Sequence, residues 1–161
     1  MTRQIVLAGG CFWGLQELFR GQPGVVASRV GYAGGSAQNP TYDNHDGHAE
    51  ALEIEYDTET TSLRSLLDFF FTIHDPTTLN QQGNDRGTSY RSTILYATDD
   101  DKRAAVEFID LVDKSGRWKN PVVTQLEPLA KFYPAEPVHQ DYLQKNPGGY
   151  TCHFVRFGSY L

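Results

Sequence analysis

The thiol of Cys11 lies in the segment GGCFWG at residues 9–14, between an apolar run and a helical pattern. The run RQIVLA at 3–8 predicts a buried strand, and the apolar spacing of FWGLQELFR at 12–20 predicts a helix. Cys11 is therefore expected at a helix start, where unpaired amides stabilise an anion and lower the pKa of a thiol. This context predicts a reactive thiolate. The alternative is a small buried cysteine that only packs between strand and helix.

The carboxyl of Glu50 has a position that suits a general acid. The segment EALEIEY at 50–56 alternates in polarity, so Glu50 shares a strand face with Leu52 and Ile54. Burial among apolar side chains raises the pKa of a carboxyl and keeps it protonated near neutral pH, which acid catalysis requires. The alternative is that Glu50 lies at the frayed start of the strand and is solvated.

Two long polar segments, at 39–50 and 80–92, are rich in groups that line pockets. Tyr42 and Tyr90 each offer a phenolic hydroxyl that donates a hydrogen bond to a polarised substrate oxygen. Asp85 offers a carboxylate that orients these hydroxyls or a water molecule. Ordinary packing is the alternative for each tyrosine.

The cysteines and histidines lack the spacing of a metal site. No C-x-x-C pair occurs, and His45 with His48 has no second cluster, so we expect neither a metal nor another cofactor. A thiol hydrolase is a more serious alternative. In that mechanism His48 or His139 is the base that activates Cys11.

Composition limits the classes of function. The chain has 14 Lys and Arg against 20 Asp and Glu, a net charge of -6, and no basic cluster, which argues against nucleic acid as a partner. The sequence shows no signal peptide and no run of about 18 apolar residues, so we expect a soluble cytoplasmic protein without a membrane segment. Cys11 and Cys152 are the two cysteines. Because the cytosol keeps thiols reduced at rest, catalytic or redox use is favoured over a structural disulfide.

The order of periodic segments predicts an α+β fold. The core order β-α-β-β-α-β, with a helix and a strand appended, suits a ferredoxin-like two-layer sandwich in which helices cover a mixed sheet. We expect a single catalytic domain over 1–161, with an irregular tail from about residue 145. The predicted strands lie at 3–8, 25–33, 50–56, 92–97 and 122–126, and the predicted helices at 12–20, 61–75 and 99–116.

Six motifs in a fixed order span nearly the whole chain. They are GCFWG at 10–14, GYAGG at 31–35, NPTY at 39–42, GHAE at 47–50, QGNDRGTSYRS at 82–92 and FYPAEPVHQDYLQKNP at 132–147. This set resembles the peptide methionine sulfoxide reductase A family closely, and its order makes chance similarity improbable. Enzymes of this family return methionine sulfoxide to methionine.

The resemblance implies a role for each candidate residue of the reaction centre. Cys11 would attack the sulfoxide sulfur, and Glu50 would donate a proton to the sulfoxide oxygen. Tyr42 and Tyr90 would hydrogen-bond that oxygen. Because a sulfoxide oxygen is a poor leaving group until it is protonated, the nucleophile and the acid must act on adjoining atoms of one substrate.

The resemblance also implies a substrate pocket. Phe12 and Trp13 would hold the S-methyl group, and Asp85 matches an aspartate of the family pocket. Many family members have a longer segment, often with another cysteine, between PTY and GHAE, whereas only DNHD at 43–46 intervenes here. This difference concerns the rim of the pocket.

The same resemblance implies a route of recycling. Family members vary in their C-terminal cysteines, and the segment GGYTCHF offers only Cys152. Cys11 would be left as a sulfenic acid and would form a disulfide with Cys152, which thioredoxin reduces. The segment NPGGYT at 146–151 contains a proline and two glycines, and we expect this hinge to carry Cys152 inward.

These observations predict a thiol-dependent reductase that returns methionine S-sulfoxide, free or in proteins, to methionine. The preference for the S epimer is implied by the family alone. Two other classes stay open at this point. One is a cysteine hydrolase with a histidine base, and the other is a non-catalytic module that binds oxidised methionine through an aromatic pocket.

Overall fold

The periodic segments of the sequence become eight strands and four helices in a computed structural model that describes residues 1–161. None of the helices combines the length and the apolar character that crossing a bilayer requires. Two short 3-10 helices span Thr88–Tyr90 and Pro137–His139. The other elements are β1 (Thr2–Ala8), α1 (Phe12–Arg20), β2 (Val25–Ala33), β3 (Ala49–Asp57), α2 (Leu63–Ile73), β4 (Gln81–Gln82), β5 (Asp85–Arg86), β6 (Thr93–Tyr96), α3 (Asp99–Lys114), β7 (Gln125–Pro128), β8 (Phe132–Pro134) and α4 (Tyr142–Lys145).

Six strands form one sheet in the order β7-β6-β1-β3-β2-β8. Neighbouring strands are antiparallel except β6 and β7, which run parallel, so the predicted mixed sheet is confirmed. The hairpin of β4 and β5 is separate from this sheet. The register pairs Leu7 with Leu52, which brings the end of β1 beside the start of β3. The segments that carry Cys11 and Glu50 are therefore adjacent.

The three long helices cover one face of the sheet. Ile5, Leu7 and Leu52 belong to a buried cluster that contains the apolar residues of α1, α2 and α3. Val6 and Ala8, which alternate with them along β1, belong to a smaller cluster on the opposite face. The predicted α+β class, with helices against a mixed sheet, is confirmed.

The last strand is displaced from its predicted position at 122–126, since β7 spans Gln125–Pro128. The amide of Val122 donates to Asp113 Oδ1 at 3.0 Å, and the amide of Val123 donates to the carbonyl of Pro76 at 2.7 Å. Both amides therefore bond to neighbouring segments and are not available to the strand ladder.

The tail beyond α4 has no helix or strand, as predicted, but it is held along α2 by its polar groups. Arg156 donates through Nη1 to the carbonyl of Ile73 at 2.7 Å. The amide of Tyr160 donates to Asp68 Oδ1 at 2.7 Å. These bonds fix the segment that directly follows Cys152.

Candidate active site

Gly10 allows β1 to turn into α1 directly before the thiol. Its φ of +99° lies in the left-handed region that favours glycine, and a Cβ there would lie 2.7 Å from Gln82 Cγ. Cys11 is the N-cap residue of α1, as the sequence predicts, and its side chain is only 4% exposed. The turn thus places the sulfur at a helix start and also in the protein interior.

The carboxyl of Glu50 lies at the start of the same helix. Its Oε1 accepts a hydrogen bond from the amide of Phe12 at 3.1 Å. The side chain is 1% exposed, so the solvated alternative is wrong. Strand alternation explains this burial, because Glu50 shares the buried face of β3 with Leu52 and Ile54.

This environment keeps Glu50 protonated. Burial raises the pKa of Glu50 to about 8, against the hydrogen bond from the Phe12 amide, which favours the carboxylate. The charge of Asp85 raises this pKa further. A carboxyl with a pKa above 7 holds its proton at neutral pH, as general acid catalysis requires.

The pKa of Cys11 is raised, and the predicted lowering by the helix start is wrong. Burial is the largest cause, the charge of Glu50 is the second, and the backbone hydrogen bond from Trp13 acts in the opposite direction. Desolvation of a thiolate therefore outweighs the helix amides. The amide of Phe12 is occupied by Glu50, which removes one donor from the thiol. Cys11 is therefore a neutral thiol at pH 7.

Tyr42 and Tyr90 lie in the same electrostatic environment. Burial raises the pKa of both phenols, that of Tyr90 to about 12, and charge on Glu50 raises both further. Charge on Cys11 has the same effect on each of them. The structure therefore brings together the four groups that the sequence singled out, two of them from polar loops.

The loop that carries Tyr42 is held by Glu136. The two carboxylate oxygens of Glu136 accept hydrogen bonds from the amide of Tyr42 at 3.0 Å and from the hydroxyl of Tyr32 at 2.8 Å. Tyr32 lies in β2 and is fully buried. The position of Tyr42 is thus fixed relative to the sheet.

A wall of aromatic rings lies beside the thiol. Trp13 stacks on Tyr142 with ring centroids 3.8 Å apart, and its Nε1 donates to His139 Nδ1 at 3.1 Å. Tyr42 stacks on His139 at 4.3 Å. Phe12 is fully buried beneath these rings, whereas Trp13 is partly exposed.

Neither candidate histidine base has a hydrogen bond to the thiol. His48 accepts from the amide of Gly35 through Nδ1 at 3.1 Å, and its Nε2 bonds to the carbonyl of Ala37 at 2.7 Å. His139 uses Nδ1 for Trp13. The hydrogen bonds of these histidines therefore give no support to a hydrolase mechanism.

Comparison with known proteins identifies the family of this chain. The family model for peptide methionine sulfoxide reductase matches residues 3–159. A peptide methionine sulfoxide reductase MsrA from Mycobacterium sp. (strain JLS) is 60% identical over 154 residues, which are 96% of this chain and 90% of that protein. The chain belongs to the peptide methionine sulfoxide reductase family. It is an oxidoreductase, and the family resemblance of its motifs is confirmed.

Solved structures have the same fold as this reductase. The reduced form of Mxr1 from Saccharomyces cerevisiae superposes with a TM-score of 0.87 at 40% identity, covering 97% of this chain and 93% of that chain. The structure of Mxr1 in complex with Trx2 superposes with a TM-score of 0.66 at 32% identity, covering 97% and 91%.

The tail of the reductase packs on the turn between β1 and α1 and on the first turn of α1. A Cβ at Gly14 would lie 2.4 Å from Thr151 Oγ1 and 2.4 Å from His153 Nδ1. His153 Nε2 bonds to the carbonyl of Gly9 at 2.7 Å. The residues on both sides of Cys152 therefore lie against this turn and the start of α1.

Cys152 lies close enough to the site that charge on its sulfur raises the pKa of Cys11. Both cysteines are free thiols. The Sγ of Cys152 is 4.0 Å from Asp85 Oδ2, and the hydroxyl of Tyr150 donates to the same oxygen at 3.2 Å. The predicted pocket residue Asp85 thus contacts the tail.

The short segment at 43–46 lines a polar cleft of ≈ 310 Å³, together with residues 47–48 and 87–89. His45 crosses between these two loops, since its Nε2 lies 2.7 Å from Ser89 Oγ. A larger cavity of ≈ 450 Å³ lies between α2 and the C-terminal tail and contains none of the predicted site residues. The polar cleft is the one that adjoins the tyrosine loops.

Sequence patterns alone do not identify Glu136, Tyr142 and His153 as residues of this site. Glu136 and His153 lie in irregular segments, and Tyr142 lies in a helix of four residues, so none of them has a periodic signal. Membership in the motif at 132–147 is the signal that could have found Glu136 and Tyr142.

We predict that Cys11 in the substrate-free enzyme reacts with iodoacetamide rapidly only well above the ordinary thiol pKa of about 8.5, because burial raises its pKa. Mass spectrometry of the Cys11 peptide after timed labelling between about pH 6 and pH 10 measures this profile. In Glu50→Gln the profile should shift to lower pH, since a like charge is lost. A wild-type midpoint below the ordinary value would contradict the burial argument.

We predict that Gly14→Ala displaces the tail, because its methyl group would collide with Thr151 and His153. Hydrogen exchange in the C-terminal peptide should become faster. Gly21→Ala is the matched control, since a Cβ there meets only the carbonyl of Leu18, at 3.9 Å. Equal exchange in both variants would show that the tail is not seated on Gly14.

Proposed function

We propose that the protein reduces methionine S-sulfoxide, free or in proteins, to methionine, with Cys11 as the nucleophile. The observation that carries this proposal is the buried, protonated carboxyl of Glu50 bonded to the first amide of the helix that Cys11 caps. A proton donor and a thiol on one side of an aromatic wall suit a substrate with an oxygen and a methyl group on the same sulfur.

The first step is the transfer of oxygen from the substrate to Cys11. Glu50 gives its proton to the sulfoxide oxygen, which makes the substrate sulfur electron-poor, and the sulfur of Cys11 attacks it. The proton of the thiol returns to Glu50. The products are methionine and a sulfenic acid on Cys11, so all atoms are accounted for. The neutral thiol of Cys11 is consistent with this order of events. The thiolate becomes favourable only after the sulfoxide has been protonated, because the protonated sulfoxide is a cation that stabilises it.

Tyr42 and Tyr90 hydrogen-bond the sulfoxide oxygen in this proposal. Their raised pKa values support it, since phenols that stay neutral keep the hydrogen that they donate. Each hydrogen bond polarises the S–O bond further and so makes the substrate sulfur more electron-poor. Glu136 supports the role of Tyr42 by fixing its backbone amide.

Trp13 and Phe12 hold the S-methyl group. The partly exposed ring of Trp13 offers the contact surface, and the buried ring of Phe12 forms the floor. Asp85 completes the pocket with a carboxylate whose charge also helps to keep Glu50 protonated. Polar substrate groups beyond the sulfur are the partners that suit this carboxylate.

Recycling passes through a disulfide between Cys11 and Cys152, which thioredoxin then reduces. The positions of Thr151 and His153 against the first turn of α1 and the turn before it support this route, because they hold the residues on both sides of Cys152 near Cys11. A solved complex of the related Mxr1 with Trx2 supports thioredoxin as the reductant.

Three further expectations belong to this proposal. Residues 1–161 act as one catalytic domain, whose tail from about residue 145 carries the recycling cysteine. The reaction takes place in the cytoplasm, where reduced thioredoxin is maintained. The central strand order β6-β1-β3-β2 supports a ferredoxin-like sheet, because its strands alternate in direction and follow the predicted β-α-β-β-α-β chain order.

We predict that the enzyme releases methionine from the S epimer of free and peptide-bound methionine sulfoxide in the presence of dithiothreitol, and not from the R epimer. Cys11→Ser should abolish this turnover, because a hydroxyl is a far weaker nucleophile at neutral pH. Chromatography of the products measures both results. Binding of the sulfoxide without release of methionine would favour the non-catalytic module, and hydrolysis of an ester probe would favour the hydrolase.

We predict that Glu50→Gln slows single-turnover reduction by about 10² to 10⁴, because the amide keeps the shape of the side chain but cannot give up a proton. The wild-type rate should fall as pH rises through about 8, where Glu50 loses its proton. Quenched-flow measurement of methionine release gives both results. Glu53→Gln on the same strand, whose side chain pairs with Arg29, is the control. A loss under about threefold in Glu50→Gln would assign the proton to another donor.

A further inference from the structure

The carboxylate of Asp85 contacts the tail through a single oxygen. Its Oδ2 accepts from the hydroxyl of Tyr150 at 3.2 Å and lies 4.0 Å from the sulfur of Cys152. A thiol and a phenol thus share one acceptor. The substrate pocket alone does not account for this arrangement, because it involves the recycling cysteine.

Asp85 is held at this position by a clamped hairpin. It lies in β5 opposite Gln82 of β4, and Gln82 is buried. The side-chain amide of Gln82 bonds to both the backbone amide and the carbonyl of Asp75 at 2.8 Å each. The carboxylate is therefore presented from a fixed backbone, as a group that handles a proton requires.

Cys152 lies next to Asp85, and the residues on both sides of it pack near Cys11. Thr151 would touch a Cβ at Gly14, and His153 bonds to the carbonyl of Gly9. Residues on both sides of Cys152 therefore lie against the start of α1, which Cys11 caps.

We propose that Asp85 is the general base of the recycling step, and that Tyr150 is a positioning residue for it. Asp85 takes the proton of Cys152 as the sulfur of Cys152 attacks the sulfur of the Cys11 sulfenic acid. The S–O bond of the sulfenic acid breaks, the S–S bond forms, and the hydroxide leaves as water with a proton from Glu50. The sulfur of Cys11 gains one electron equivalent, and the sulfur of Cys152 loses one. This inference rests on the proposed function, which supplies the sulfenic acid.

The state of Cys152 makes a base necessary. Burial raises the pKa of Cys152, and the charge of Asp85 raises it further, against the hydrogen bond from Tyr150. The thiol is therefore neutral at pH 7, and its proton must leave as the disulfide forms. The carboxylate that suppresses the free thiolate is also the acceptor nearest to that proton. Asp85 is available for this task once methionine has left the pocket.

The test separates the two steps in one quenched-flow experiment with S-sulfoxide and no reductant. Released methionine reports the first step, and mass spectrometry after trapping with dimedone distinguishes the Cys11 sulfenic acid from the Cys11–Cys152 disulfide. In wild type, the disulfide should follow methionine closely. In Asp85→Ala and Asp85→Asn, the sulfenic acid should accumulate, because disulfide formation slows by about 100-fold or more.

Chemical rescue distinguishes a base from a structural residue. Formate should accelerate disulfide formation in Asp85→Ala in proportion to its concentration, and it should not accelerate the Asn variant, where the side chain fills the site. Arg86→Ala, on the same strand with an exposed side chain, is the matched control and should form the disulfide at the wild-type rate. Tyr150→Phe should slow disulfide formation by several-fold without formate rescue.

The outcomes separate this inference from the proposed function. If wild type releases no methionine, the proposed function fails. If wild type releases methionine and forms the disulfide, but Asp85→Ala forms it equally fast, only the role of Asp85 as a base is overturned. Slow disulfide formation that formate does not accelerate also overturns the base, since it assigns Asp85 a structural role.

Discussion

The hydrogen bond from the Phe12 amide to the Glu50 carboxyl, at 3.1 Å, is the interaction on which the arrangement of the site depends. It joins the start of α1 to the start of β3 and so fixes an acid beside a thiol. A helix start has few unpaired amides, and each can serve only one anion or acceptor well. Because this amide serves the carboxyl, the helix stabilises Cys11 less than a sequence argument assumes. The acid and the nucleophile therefore share one limited source of positive charge.

This sharing explains why the site is neutral at rest. Cys11, Glu50, Tyr42 and Tyr90 all have raised pKa values, with burial as the largest cause in each. Charge on Glu50 would further oppose ionisation of the other three. A cluster of this kind holds several donors whose hydrogens remain available at pH 7. It suits a neutral, strongly polarised oxygen better than it suits an anionic substrate.

Local periodicity predicted the parts of the site that depend on the sheet and on α1. Alternation along 50–56 placed Glu50 on the buried face, and the helical pattern at 12–20 gave the bounds of α1. The pKa of Cys11 could not be predicted in this way, because it depends on burial by distant segments. The role of Glu136 could not be predicted from local patterns either. It depends on tertiary contacts, since one carboxylate accepts hydrogen bonds from both Tyr32 and Tyr42. The displaced β7 has a similar cause, as amides before it bond to α3 and to the segment after α2.

Of the two glycines Gly10 and Gly14 near the thiol, local turn geometry explains only one. Gly10 needs a positive φ, but Gly14 lies inside α1, where alanine would favour the helix. Its missing side chain is the space that Thr151 and His153 occupy. Glycine lowers the stability of the helix, and the packing of the tail against the start of α1 offsets this loss. Glycine at position 14 therefore matters for both steps of the reaction. It lies in the helix that Cys11 caps, and its lack of a side chain leaves room for the residues on both sides of Cys152.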